Sequence, residues 1–138
     1  MKTKIIPIAG LVVLMGVLFG FQHKAPIENA LPKKGMIKVT ILYPNGDGKT
    51  FDMDYYSNKH MPMVASLLGD SLKLFEIDKG IAGRTPDEPI PYLAIGYLYF
   101  DRLSAYQNSF RANAEKIRND IPNYTNIQPV VLISEVVR

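Results

Sequence analysis

The chain has 138 residues, a length that fits one domain. It contains no cysteine, which excludes disulfides, thiolate metal sites and a cysteine nucleophile. Its net charge of +3 comes from Lys2, Lys4, Lys24, Lys33 and Lys34; from Met36 onward there are 11 basic and 12 acidic residues, which excludes the basic stripe that a nucleic-acid-binding domain needs.

Met1-Lys2-Thr3-Lys4 is a short basic start, Ile5 to Phe21 is an apolar run without charge, and Gln22 to Lys34 is polar with two prolines. This is the layout of a secretory signal. The run is at the short edge for a spanning helix, which needs roughly 17–25 residues. His23-Lys24-Ala25 and Glu28-Asn29-Ala30 are poor versions of a cleavage site. An uncleaved anchor is therefore the alternative to a cleaved signal, and a buried helix of the fold is a third reading. The first two expect export, to the periplasm or beyond, or anchorage in the membrane by the N-terminal segment. The chain divides into a leader with a polar linker, residues 1–35, and a folded domain, residues 36–138.

Met36 to Tyr43 alternates β-branched and aromatic residues with Lys38, Thr40 and Leu42, which predicts a strand. Pro44 to Gly48 is turn chemistry. Asp52 is placed to cap a helix, and Met53, Tyr56, His60, Met63, Val64, Leu67 and Leu68 recur on one stripe. Pro62 cannot donate a backbone hydrogen bond and predicts a distortion near Lys59 to Met61. Gly69 ends the helix. Leu72 to Ile81 reads as a second strand and Gly83 to Pro91 as a proline-stiffened loop. Tyr92 to Phe100 is a third strand with both faces apolar or aromatic, the pattern of a strand covered on both sides. Asp101 is the expected cap of a second helix, whose stripe is Leu103, Tyr106, Phe110, Ala114, Ile117 and Ile121, with Arg118 outside it. Pro122 and Asn123 stop it, and Pro129 to Val137 forms the last strand.

The order β-α-β-β-α-β is the α+β, ferredoxin-like plan. It covers one sheet face with helices and leaves the other bare, and a large bare apolar face marks an interaction surface. A second copy packed sheet against sheet meets that need, so the expectation is a homodimer with a barrel-like interior.

His60 is the candidate acid or base, because imidazole titrates near neutral pH. A core histidine bonded to a tyrosine or a carbonyl explains its position as well. Tyr56, one turn earlier, is placed to share a hydrogen bond or a substrate with it. Tyr97 and Tyr99 share a strand face that suits either a planar apolar ligand or a packed interface. Tyr124 and Gln128, with Asn123 and Asn126, are candidate polar contacts at a cavity rim, although turn chemistry also explains the asparagines. Asp52/Asp54 and Asp87/Glu88 are paired acids that a helix cap and a loop already explain. The domain has one histidine, too few clustered ligands for a zinc site or an iron triad.

Met36-Ile-Lys-Val-Thr-Ile-Leu-Tyr-Pro-Asn-Gly, Phe51-Asp-Met-Asp-Tyr-Tyr-Ser-Asn-Lys-His60-Met-Pro62 and Asp120-Ile-Pro-Asn-Tyr-Thr-Asn-Ile-Gln-Pro129 resemble the EthD family. The resemblance spans Met36 to Arg138. It implies the dimeric α/β barrel and makes His60 the first place to look for a site. Related barrels include monooxygenases, polyketide cyclases, muconolactone isomerases and haem-binding chlorite dismutase relatives, so the resemblance narrows reaction less than fold. It leaves a cofactor-free enzyme of oxidoreductase, isomerase or cyclase type acting on a hydrophobic or aromatic small molecule. The alternatives are a non-catalytic binding dimer, a structural dimer, and a haem-binding barrel with His60 as axial ligand. The exported-looking leader departs from the usual member.

Overall fold

The computed structural model describes residues 31–138, so the apolar run of the leader lies outside the described residues. Among them, no helix is long and apolar enough to cross a membrane. Four strands, β1 (Ile37–Pro44), β2 (Leu72–Lys79), β3 (Tyr92–Phe100) and β4 (Val130–Glu135), form one sheet in the order β2-β3-β1-β4. Each neighbouring pair is antiparallel, with Val39 opposite Leu98 and Ile133, and Ile41 opposite Gly96 and Val131. The fold is α+β and ferredoxin-like, as the element order predicts.

Strand alternation sorts the side chains. Val39, Tyr43, Ala94, Leu98 and Phe100 are buried with Tyr56, Met61, Val64, Leu68 and Ile117 of the helices. The opposite face carries Lys38, Thr40, Ile95, Tyr97 and Tyr99. On β3 that face is half-buried at Leu93, Ile95 and Tyr97 and buried at Tyr99. The last strand, apolar on both faces, is exposed: Val130 to Ile133 keep 45–55% of their surface. Among the described residues it lies at the sheet edge, with β1 as its strand neighbour.

The first helix, α1, occupies residues 53–68 and changes geometry twice. One α turn, Met53–Tyr55, passes into a π-helical segment, Tyr56–His60, and then into α-helix, Met61–Leu68. Asp52 caps it as expected, accepting a hydrogen bond at Oδ1 from the Tyr55 backbone N–H at 2.9 Å. Pro62 is the reason for the wide turn. It has no N–H for the carbonyl four residues back and its ring crowds that turn; the Met61 N–H instead reaches five residues back, to the Tyr56 carbonyl. Such wide turns recur at functional sites. Gly69 closes the helix at φ +54°, where glycine carries no Cβ penalty.

The second helix, α2 (Leu103–Asp120), is regular. Asp101 does not cap it. The N-cap residue is Arg102, with no side-chain capping bond, and Asp101 pairs with Lys73 on β2 at 3.3 Å. Asn113 joins the two helices by donating to the Leu67 carbonyl at 3.1 Å.

Candidate functional site

The loop before α1 and the connector before β4 are stitched together, and that stitching places the site. The Asp52 N–H donates to the Tyr124 carbonyl at 2.7 Å, and Phe51 and Thr125 form an antiparallel bridge. Asn126 accepts from the Thr50 N–H and donates to the Gly48 carbonyl, so its role is turn chemistry. Tyr124 is thereby held beside α1. Its ring lies 4.6 Å from His60, 5.1 Å from Tyr56 and 5.4 Å from Phe51, measured between centroids.

His60 is 4% exposed and both of its ring nitrogens have partners. Nδ1 lies 2.7 Å from Oδ2 of Asp120, and Nε2 lies 3.3 Å from the Tyr124 hydroxyl, which is 2.8 Å from that of Tyr43. Asp120 is supported on its other oxygen by the Tyr55 hydroxyl and the Asn123 amide, each at 2.9 Å. Burial lowers the His60 pKa below its ordinary value, against the opposing pull of Asp120. Burial alone would raise the Asp120 carboxyl, but hydrogen bonds from His60, Asn123 and Tyr55 together hold it below the usual range. The resting pair is therefore a neutral imidazole donating Nδ1–H to a carboxylate. Burial raises the pKa of Tyr43 and of Tyr124 well above the ordinary phenol value, so both remain donors at neutral pH. A self-consistent direction runs from Tyr43 O–H to Tyr124, from Tyr124 O–H to Nε2, and from Nδ1–H to Asp120.

Tyr56 does not take part in that chain. It stacks on His60 with centroids 5.6 Å apart and planes 17° from parallel. Its buried hydroxyl meets no geometric hydrogen-bond partner among the described residues. The Tyr43 phenol nearby adds to the burial that raises its pKa. The hydroxyl points at Gly96 on β3, where a Cβ would collide with it.

A cavity of about 420 Å³ opens beside the pair, within the size range of small-molecule sites. Val39, Ile41 and Leu98 form its sheet wall, and Tyr106, Phe110 and Ile117 its α2 wall. His60 and Tyr43 face it from the polar end, and Gln128 and Arg118 stand at its exposed mouth. Tyr97 and Tyr99 are not brought to it. They lie on the other sheet face, where Tyr99 donates to Glu76 at 2.6 Å and Lys38 sits over the Tyr97 ring. Of the candidates, His60 and Gln128 line the cavity, Tyr124 backs His60 from the core rather than a rim, and Tyr56 supplies packing.

Asp120 and Tyr43 fall within the family-like segments, yet the sequence assigns neither a role at the site. Asp120 is 60 residues from His60 and falls outside the apolar stripe. One signal could have found it: a carboxylate in the last turn of a helix runs against the helix dipole and needs a compensating partner. Among the described residues, no group of three or more histidine, cysteine or acidic side chains could hold a metal ion.

The family model of the EthD domain matches residues 48–128, which contain the wide turn, His60, Asp120 and Tyr124. An EthD-like protein from Ralstonia eutropha JMP134 has a crystal structure that superposes with a TM-score of 0.73 at 38% identity, covering 77% of this chain and 96% of that one. An ethyl tert-butyl ether D (EthD) family protein from Bacillus halodurans C-125 superposes with a TM-score of 0.52 at 17% identity, covering 74% and 99%, and supports the fold alone. No curated protein matches the chain significantly. The matched domain, which is more than half the chain, and the 38% identical relative show that this chain belongs to the EthD family.

Proposed function

We propose that the protein is a small cofactor-free enzyme that moves a proton on a hydrophobic cyclic or aromatic substrate. The observation that carries this reading is a neutral His60, oriented by an ionised Asp120, in the wall of a largely apolar cavity. With Nδ1–H committed to Asp120, the lone pair is on Nε2, the nitrogen that accepts from Tyr124. When a substrate C–H or O–H displaces that bond, Nε2 accepts the proton and the imidazolium is stabilised by Asp120. The Tyr43 hydroxyl, which lines the cavity, is the donor for the oxygen on which negative charge develops. Such a deprotonation opens an isomerisation, a cyclisation or a cofactor-free oxygenation.

A second reading is a non-catalytic binding cavity. It is favoured by the saturation of both His60 nitrogens, which leaves the ring a finished structural element. The same saturation speaks against haem, since an axial ligand needs a free nitrogen. In our reading the protein acts as a homodimer through the bare sheet face; the exposed apolar Val130 and Leu132 of β4, opposite Leu42 and Thr40, support a partner surface there. The leader supports action outside the cytoplasm.

Solvent-deuterium uptake by a panel of cyclic and aromatic ketones, followed by NMR, tests the enzyme. Uptake accelerated by the wild type and lost in His60→Gln supports it. Equal uptake by both proteins rules out His60 as the base. Ligand-induced shifts without uptake favour the binding reading.

A further inference from the structure

The cavity is apolar along its walls and carries a single full charge at its mouth. Arg118, in the last turn of α2, lines the opening together with Gln128. Its guanidinium makes no ion pair and no side-chain hydrogen bond with any described residue. No aspartate or glutamate lines the cavity; the Asp120 carboxylate is turned away and bound by His60, Asn123 and Tyr55. The lining at neutral pH is therefore cationic at the rim, neutral at His60 and apolar between. Gln128 adds an exposed amide that can donate beside the arginine. An arginine presents its donors as a planar fork suited to a two-oxygen anion, and its aliphatic stem covers apolar surface while the head stays in water.

We propose that Arg118 is the specificity determinant of this cavity, and that the ligand it selects is an amphipathic anion: a hydrophobic, ring-sized body seated between α2 and the sheet, with a carboxylate or similar two-oxygen group held at the mouth by Arg118 and Gln128. This rests on the reading of the cavity as a ligand site and adds the class of ligand. The anionic group, held at the mouth, fixes the orientation of the body between α2 and the sheet. A neutral molecule of equal size would enter in either orientation.

Two dyes with a shared apolar body test this, anilinonaphthalene sulfonate and its neutral counterpart phenylnaphthylamine. Binding of each is followed by fluorescence on the folded full chain. The wild type sets a ratio of affinities, sulfonate over neutral. Arg118→Gln is expected to lower that ratio about fivefold, the upper range for an exposed charge pair, and to leave the neutral dye unaffected; Arg118→Lys is expected to keep part of it. Val131→Trp, at an exposed lining position, is expected to block both dyes. A ratio unchanged in Arg118→Gln, with both dyes blocked by Val131→Trp, overturns the role of Arg118 and leaves the cavity as a ligand site. Dyes that bind equally well to Val131→Trp, or do not bind the wild type at all, overturn the ligand site and this inference with it. Thermal melting of each variant distinguishes a changed site from a changed fold.

Discussion

Helices α1 and α2 flank the same cavity and are built by opposite rules. Over residues 53–68, α1 buries Tyr56, His60, Met61, Val64 and Leu68, and it is distorted in the middle. The 18 residues of α2 bury only Ile117 and hold regular geometry to the end. The buried helix delivers the imidazole, and the exposed one delivers the carboxylate and the guanidinium from its last turn. The division follows from solvation. A neutral imidazole tolerates burial, whereas Asp120 and Arg118 need water or donors close by to remain charged. Asp120 reaches His60 from the rim of the core without being taken inside it.

Breaking the link between the two helices gives the largest expected effects. His60→Gln is expected to reduce turnover by about a hundredfold or more, the usual worth of a general base. Asp120→Asn keeps the shape but loses the charge that favours the imidazolium; its loss is expected to be smaller, with the turnover pH profile displaced. Steady-state rates on any substrate found by deuterium uptake check both, and a normal rate in His60→Gln ends the acid–base account.

The next effect lies under α1 rather than between the helices. Gly96→Ala drives a methyl group into the Tyr56 hydroxyl and is expected to cost about 1–3 kcal/mol, as overpacking does. Tyr56→Phe removes an unsatisfied buried hydroxyl, so it is expected to be neutral or stabilising and to relieve Gly96→Ala in the double variant. Urea denaturation of the four proteins measures the coupling. A Gly96→Ala protein as stable as the wild type would show that the sheet yields there.

Asn113→Leu removes the hydrogen bond to the Leu67 carbonyl and is expected to cost about 1 kcal/mol, read from the same denaturation curves. If only turnover changes, the bond sets the spacing of the helices rather than their stability.

The smallest effect is a slope in pH. Burial lowers the folded His60 pKa, so the unfolded chain, with an ordinary value of about 6.5, takes up a proton first. Stability contributed by neutral His60 is therefore present above about pH 6.5 and declines as pH falls below it, until the folded ring also protonates. Asp120, with its folded pKa depressed, contributes stability that is lost only at lower pH, as the carboxyl protonates. Melting temperatures measured downward from neutral pH are expected to fall more steeply for the wild type than for His60→Gln in the first window. Parallel curves would mean that the ring does not resist protonation.

Much of this is legible in the residues. Alternation in Tyr92 to Phe100 places that strand to the residue, and Pro62 announces the distorted helix. The stripe through Tyr56 and His60 turns the histidine inward. The partner of His60 is not legible, because a contact across 60 residues depends on where two loops meet, and the Asp52 to Tyr124 and Phe51 to Thr125 pairings that bring them together leave no local pattern. The same limit explains Tyr97 and Tyr99. Their shared face is readable from the strand, but which face the helices cover depends on the whole sheet. Asp101 looks like a cap by type and position, yet Lys73 on the neighbouring strand holds it elsewhere.

The wide turn at Tyr56–His60 also divides the helix into two phases. Every turn of an α-helix advances about 100° per residue, so the extra residue rotates all that follows relative to all that precedes. His60 and Met61, which are consecutive, can then both face inward: one closes the polar end of the cavity and the other starts the core stripe that continues to Val64 and Leu68. Site and core are thus indexed separately along one short helix. A single-residue deletion between Tyr56 and His60 would restore one phase and force the chain to keep either its packing or its histidine.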